Sequence, residues 1–210
     1  MIELLYFANP MCSWCWGFAP SLRALRETHP DLVVNLATGS LGAGRAAPMN
    51  EADKTDLREH WRKVRERSGQ PFDFAFFTRE GFVYDTEPPC RALALLRHRY
   101  PALATACLER LQERFYGHGE DITEPAVLRR VCGEFGIPGA TFDAAFGDPT
   151  LAREVSREWE QTARLGVTGY PTLLALHRGR AQVLTVGWCA PEELVRRFAV
   201  LADAGRSAAP

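Results

Sequence analysis

Ile2-Glu3-Leu4-Leu5-Tyr6-Phe7-Ala8-Asn9-Pro10-Met11-Cys12-Ser13-Trp14-Cys15 is the stretch on which the fold assignment turns. Ile2 to Phe7 is a short apolar run, as expected of a strand buried on both faces. Asn9-Pro10 breaks it. From Ser13 to Thr28 the apolar residues Trp16, Phe18, Leu22 and Leu25 recur at helical spacings. Pro20 lies inside that pattern and is expected to kink the helix or mark its start. His29-Pro30 ends it. Leu32 to Ala37 then reads as a second strand. Strand, helix and strand in fewer than 40 residues form a βαβ unit, so the two strands are expected to run parallel.

Further out, Gly39, Gly42, Gly44 and Pro48 mark a loop and a change of character. From about Glu51 to Gly147 the chain is mostly helical. Leu57 to Arg67 reads as an exposed, charged helix. Pro88-Pro89 opens another that runs to Tyr100, and Pro101 separates it from one ending near Gly117. Thr123 reads as an N-cap, with Pro125 in the first turn and Gly133 or Gly136 near the end. Asp148-Pro149 starts a helix to about Leu165. Strands return at Thr172–His177 and Gln182–Val186, with a turn over His177 to Ala181 between them. Pro191 opens a last amphipathic helix carrying Leu194, Val195 and Phe198, and Ser207 to Pro210 reads as a frayed tail. The expected class is α/β. Four strands are split by a helical insertion, with residues 1–44 and 148–210 in one domain and 45–147 in the other.

The chain has 210 residues, enough to bury a core without disulfide staples. Hydrophobic residues make up 46% and charged residues 24%, which excludes wholesale disorder. The 25 basic and 26 acidic residues leave a net charge of −1, so nothing general draws the protein to nucleic acid or an anionic membrane. No apolar run is long enough to span a bilayer. The N-terminus shows no basic region followed by a cleavable apolar stretch, so a cytoplasmic location is the expectation. In that setting most of the six cysteines are expected to be reduced thiols.

Cys12 and Cys15 carry the chemistry. Three residues make about one helical turn, so their sulfurs can come within bonding distance. The outer cysteine sits where unpaired amides and the positive end of the helix stabilise a thiolate, which lowers its pKa from the free value of about 8.5. Cys12 is therefore the expected nucleophile, and Cys15, one turn further in, the resolving thiol. A chance pair at this spacing is expected roughly 0.17 times in such a chain, so the placement between strand and helix carries the reading. Buried core cysteines are one alternative. A zinc site is another, but it needs two more ligands, and no second CxxC or HxxxH occurs. No metal is expected.

The second signal is Gly166-Val167-Thr168-Gly169-Tyr170-Pro171-Thr172. Taken alone, Tyr170-Pro171 is a proline at a strand start. Together with Pro10-Met11-Cys12-Ser13-Trp14-Cys15-Trp16-Gly17-Phe18, it resembles the thioredoxin superfamily, and within it the cytosolic DsbA-like (FrnE-like) branch. Tyr84-Asp85-Thr86-Glu87, Cys90-Arg91-Ala92 and Gly117-His118-Gly119-Glu120-Asp121-Ile122 add to a resemblance that covers nearly the whole chain. It implies a thioredoxin-like fold interrupted by a helical domain, with thiol–disulfide exchange as the activity. It also implies that Pro171 is cis and lies against the active-site sulfurs. Tyr170 then offers its backbone to an extended substrate peptide, and Ser13 and Trp14 tune the thiolate. Thioredoxin-like proteins often carry a buried acid six residues before the first cysteine. This chain has Tyr6 there, and Glu3 stands nine before.

The reading requires no organic cofactor. Expected partners are protein thiols and disulfides, with glutathione or a thioredoxin-type reductant as electron source. Two alternatives share the fold. One is a glutathione-dependent transferase or isomerase, which needs no resolving thiol and so gives Cys15 no role. The other is a non-catalytic polypeptide-binding module that uses apolar surface of the helical part. Cys107 and Cys132 read as small core hydrophobes. Cys90, just after Pro88-Pro89, is a candidate second redox thiol, and Cys189 a candidate exposed one. Trp14, Trp16, Phe18, Phe72, Phe74, Phe76 and Phe77 divide between core and a possible groove. The five histidines read as solvated or loop residues.

Overall fold

The computed structural model describes residues 2–41 and 47–207. Gly42, Gly44 and the end of the expected tail lie outside the described residues. Four strands form one sheet in the order β2-β1-β3-β4: β1 (Glu3–Ala8), β2 (Val33–Thr38), β3 (Thr172–His177) and β4 (Arg180–Val186). β1 and β2 run parallel, from Glu3 opposite Val33 to Ala8 opposite Thr38. β3 runs antiparallel to both β1 and β4. The inner strands β1 and β3 are the apolar ones: Leu4, Tyr6, Phe7 and Ala8 of β1 and Leu173 and Ala175 of β3 are buried. The edge strands are the more exposed, as the sequence of β4 with its Arg180 and Gln182 requires. The turn between β3 and β4 is tighter than the sequence reading. Arg178 and Gly179 alone form it, both with positive φ (50° and 73°), the geometry whose twist suits a two-residue hairpin.

α1 (Ser13–Thr28) follows β1 and continues unbroken through Pro20, so that proline does not mark its start. Proline at that position removes the N–H that would bond the carbonyl of Trp16. The Gln70 side chain donates to that carbonyl instead (3.0 Å), and Trp188 Nε1 donates to the carbonyl of Gly17 (2.9 Å). The one acceptor that Pro20 frees is therefore satisfied by Gln70, and Trp188 adds a further tie to the same turn.

Between β2 and β3 lie α2 (Glu51–Ser68), a 3₁₀ turn (Phe74–Thr78), α3 (Glu87–Arg99) and α4 (Ala104–Gln112). A π turn (Glu113–Gly117), α5 (Pro125–Glu134), α6 (Gly139–Phe146) and α7 (Pro149–Arg164) complete the block. α2 is longer than its periodicity suggested. Asn50 and Asp53 form a reciprocal capping box at its start, and Gly69 closes it with φ +72°. Nor is it wholly exposed. Trp61 and Val64 are fully buried, and Trp61 is the hub of an aromatic cluster. Phe72, Phe76, Phe77, Phe115 and Tyr116 surround it with ring centroids 4.7 to 5.7 Å away. Thr123 does not cap α5. Glu124 takes that place, while the Thr123 hydroxyl and amide both bond Asp121 Oδ1 in a local turn that competes for them.

Gly17 brings α2 onto α1. A Cβ there would lie 2.9 Å from Val64 Cγ1 and 3.2 Å from Ser68 Cβ. At the other end, α7 grips the last residue of β2. Glu158 accepts from the Thr38 amide and pairs with Arg97 of α3, and Thr162 Oγ1 donates to the Thr38 carbonyl (2.9 Å). α8 (Pro191–Ser207) lies beside α1, tied by Ser21 Oγ donating to the Cys189 carbonyl (2.7 Å). One hydrophobic core runs from the sheet into the helical block. No helix among the described residues is long and apolar enough to cross a membrane.

Candidate active site

The turn from β1 into α1 is organised by Asn9, which is fully buried. Its Oδ1 accepts from the Met11 amide (2.8 Å). Its Nδ2 donates to the Gly39 carbonyl at the end of β2 (2.8 Å) and approaches Cys90 Sγ (3.6 Å). The Asn9 carbonyl accepts from the Cys12 amide (3.0 Å). Tyr84 donates its hydroxyl to the Met11 carbonyl. The residue before Cys12 is thus held from both sides.

Cys12 is the N-cap of α1, with φ −93° and ψ 111°. No acidic side chain stands in the first turn, so the place where an anion is favoured is left to sulfur. The hydrogen bond from the Cys15 thiol is the largest influence on Cys12 and lowers its pKa below the ordinary thiol value. Burial opposes this, and the amides of Cys15 and Trp14 add to it. Cys15 goes the other way. It is fully buried, and burial first, then its bond to Cys12 and the charge there, raise its pKa well above the ordinary value. The result is one sulfur poised as thiolate and its neighbour held as thiol, the asymmetry that thiol–disulfide exchange requires.

The Tyr170-Pro171 peptide is cis, and as a thiol Cys12 Sγ donates to the Tyr170 carbonyl at 3.5 Å. Pro171 is buried, and its carbonyl accepts from the Gly187 amide (2.7 Å). The Tyr170 ring lies on Gly39. A Cβ at Gly39 would be 1.7 Å from the Tyr170 hydroxyl, so only glycine permits this approach.

In front of Cys12 opens a cavity of about 520 Å³. Cys12, Ser13, Trp14 and Tyr170, which the sequence singled out, all line it, and Pro171 follows directly on Tyr170. His60, Asp53 and Asp56, which the sequence missed, also line it, as does Tyr84, which the sequence noted only within a motif. His60 meets the Trp14 ring edge-on at 5.8 Å. Burial, then Lys63, lowers its pKa, so it is neutral near pH 7. The Asp-x-x-Asp-x-x-x-His spacing on one face of α2 was the available signal, but nothing local ties α2 to Cys12. Trp16, Phe18, Phe72, Phe76 and Phe77 are core residues. Of the aromatics weighed as groove candidates, Trp14 lines the cavity. Cys90 and Cys189 are both buried, so Cys189 is not the exposed thiol the sequence suggested. Among the described residues no group of three His, Cys, Asp or Glu side chains is placed to hold a metal ion.

The sequence matches the DSBA-like thioredoxin domain over residues 3–198. The chain belongs to the DSBA-like thioredoxin domain family. Its structural relatives include a Nitrosomonas europaea protein described as a candidate protein disulfide isomerase, with a TM-score of 0.87 and 29% identity over 97% of this chain and 98% of that one. The cytosolic disulfide reductase DsbM of Pseudomonas aeruginosa aligns with a TM-score of 0.78 and 28% identity over 96% and 99%, and a structure of DsbM with GSH is also similar. Among curated proteins, the ClpXP adapter protein SpxH of Halalkalibacterium halodurans is 22% identical over 178 residues, 82% of this chain. The chain spans 58% of that relative's length. The DSBA-like domain therefore accounts for the sheet, the helical block and the turn that bears Cys12.

Proposed function

We propose that the protein is a thiol–disulfide oxidoreductase or isomerase that acts on protein disulfides through Cys12 and Cys15. The observation that carries this reading is the opposite tuning of two sulfurs in one helical turn. The Cys12 thiolate attacks a substrate disulfide and one substrate sulfur leaves as thiolate. Cys15 then loses its proton and attacks Cys12 Sγ. The second substrate sulfur leaves, and a Cys12–Cys15 disulfide remains. Two electrons have passed to the substrate, and a reductant of the glutathione or thioredoxin type returns them. Isomerisation needs only that the first adduct be resolved by another thiol of the substrate. Tyr170 and Pro171 position the partner, and Ser13 and Trp14 tune Cys12. The residues need no metal or organic cofactor for these steps.

The same reading takes residues 1–44 and 148–210 as the thioredoxin-like part, and 45–147 as the inserted helical part that supplies the far wall of the cavity. A cavity of about 520 Å³ suits a peptide segment or a small thiol peptide. A cytoplasmic setting belongs to this reading, supported by the cytosolic reductase among its relatives.

The similarity to an adapter protein favours one second reading, a polypeptide-binding module that does not use its sulfurs. Insulin reduction and scrambled-ribonuclease refolding by the wild type, Cys12→Ser and Cys15→Ser separate the two. Exchange predicts loss of activity in both variants. Client binding unchanged in both, with no wild-type turnover, would replace exchange by the adapter reading. A glutathione transferase would instead keep its activity in Cys15→Ser.

A further inference from the structure

Three chain segments meet at Cys12: the turn out of β1, the end of β2 and the residues before β3. Asn9 joins them, and it is 0% exposed. Its backbone carbonyl accepts from the Cys12 amide (3.0 Å) and from the Gln112 side chain of α4 (3.4 Å). Its side-chain oxygen accepts from the Met11 amide and its side-chain nitrogen donates to the Gly39 carbonyl, both at 2.8 Å. Gly39 is the surface on which the Tyr170 ring lies, and the Tyr170 carbonyl faces Cys12 Sγ at 3.5 Å. These contacts close a ring: Cys12 to Asn9, Asn9 to Gly39, Gly39 to Tyr170, and Tyr170 back to Cys12.

The side chain at this place must accept at one end and donate at the other, and an amide does both. An aliphatic residue would leave a buried N–H and a buried carbonyl without partners. A carboxylate would accept at both ends and set its charge against the Gly39 carbonyl and against Cys90 Sγ, which stands 3.6 Å from Asn9 Nδ2. Burial keeps the Cys90 thiol protonated, and behind it Glu158 is paired with Arg97.

We propose that Asn9 is a positioning residue for exchange: its side chain fixes the cleft between the Cys12 sulfur and the Tyr170 backbone, so that a polypeptide held against Tyr170 brings its own sulfur onto Cys12. This deepens the exchange reading and rests on it. The Asn9 side chain acts through Met11 and Gly39. A small disulfide makes no use of the Tyr170 wall, so Asn9 matters for polypeptide substrates and little for small ones.

The test compares two reagents that release coloured pyridine-2-thione when Cys12 attacks. One is a cysteine peptide activated as its 2-pyridyl disulfide, and the other is 2,2′-dipyridyl disulfide. Asn9→Ala is expected to slow the peptide reaction by roughly 10- to 100-fold and the small one by less than about threefold. Asn9→Asp supplies the rescue. Protonated, its carboxyl donates and accepts as the amide does; ionised, it only accepts. Burial raises its pKa above the usual value of about 3.9. Its peptide rate relative to wild type is therefore expected to be about 1 at acid pH and to fall toward that of Asn9→Ala as the carboxyl ionises.

Cys107 and Cys132 remain unlabelled in a folded chain, which certifies each variant. If Asn9→Ala fails that check, Asn9→Asp at acid against neutral pH decides alone. With asparagine in place, the side-chain amide protons of Asn9 are expected to exchange slowly with heavy water by NMR, both before and after Cys12 of Cys15→Ser is joined to the peptide. Fast exchange in either state would overturn the proposal. So would a pH-independent ratio in Asn9→Asp, or equal slowing of both reagents, which marks an effect on the thiolate alone. If the wild type releases no thione from either reagent, the exchange reading fails and the positioning role with it.

Discussion

The opening turn of α1 and the helical block between β2 and β3 place the same side chain in equally buried surroundings with opposite results. Cys15, Cys90, Cys107 and Cys132 are all 0% exposed and Cys12 only 7%. Yet among these five only Cys12 has its pKa lowered. Burial raises Cys90 and Cys107 well above the ordinary thiol value, and Cys132 to about 12. The neighbours make the difference. Cys12 Sγ also meets the Tyr170 carbonyl, but the Cys15 thiol and the amides of Cys15 and Trp14 are donors that favour its thiolate, whereas Cys132 is raised by burial with no such donors. Cys132 Sγ faces the Ala92 carbonyl (3.8 Å), an acceptor that favours the protonated thiol. Desolvation alone makes a cysteine inert; donors at a helix start make it reactive.

The largest expected effect that could break this contrast is on turnover. Cys12→Ser should lower disulfide exchange by about 10³-fold or more, because the nucleophile is gone. Cys107→Ala should leave it within about twofold, since that thiol packs and does not react. A Cys107 variant as inactive as Cys12→Ser would erase the distinction.

Alkylation against pH sharpens the same contrast. Cys12 is expected to label with a midpoint below the free-thiol value of about 8.5, and Cys132 to resist labelling until the protein is unfolded. The linkage has opposite signs. Cys12 is lowered on folding, so its contribution to the stability of the reduced protein is present above about 8.5 and is lost as pH falls through the lowered pKa. Cys132 is raised, so its contribution is complete below about 8.5 and is lost as pH rises through about 12. Urea unfolding of reduced wild type and Cys12→Ser over a pH series reads the first sign. A wild-type curve as flat as that of Cys12→Ser below about 8.5 would contradict it.

The contact that brings the helical block onto α1 should respond through stability rather than chemistry. Gly17→Ala drives a methyl group to 2.9 Å from Val64 Cγ1. Overpacking costs about 1–3 kcal/mol, partly offset by about 0.5–1 kcal/mol of better helix propensity. A lowered Tm with an unchanged Cys12 alkylation midpoint is the expected result, and an unchanged Tm would show that α2 yields freely. The smallest effect is at Gln70. Gln70→Ala leaves the Trp16 carbonyl without its side-chain donor, for a loss of about 1 kcal/mol by urea unfolding.

Local pattern was enough for several features. The apolar run before Asn9-Pro10, the helical spacing after Cys12 and the next apolar run specify a parallel βαβ unit, because strand and helix periods are properties of neighbouring residues. The spacing of Cys12 and Cys15 specified a pair across one turn for the same reason. Chain segments far apart in sequence decided the rest. The acceptor that Pro20 frees in α1 is met by Gln70, far along the chain, and whether the Tyr170 ring could reach its place depended on Gly39. His60, Asp56 and Tyr84 reach the wall around Cys12 only because α2 and the segment before α3 fold back over it. Tyr6 stood out in the sequence only for its place six before Cys12; that it is buried against Phe18 and lines a cavity between α1 and α4 was decided by packing. Periodicity records which face of an element is apolar; it carries no record of which distant side chain that face will meet.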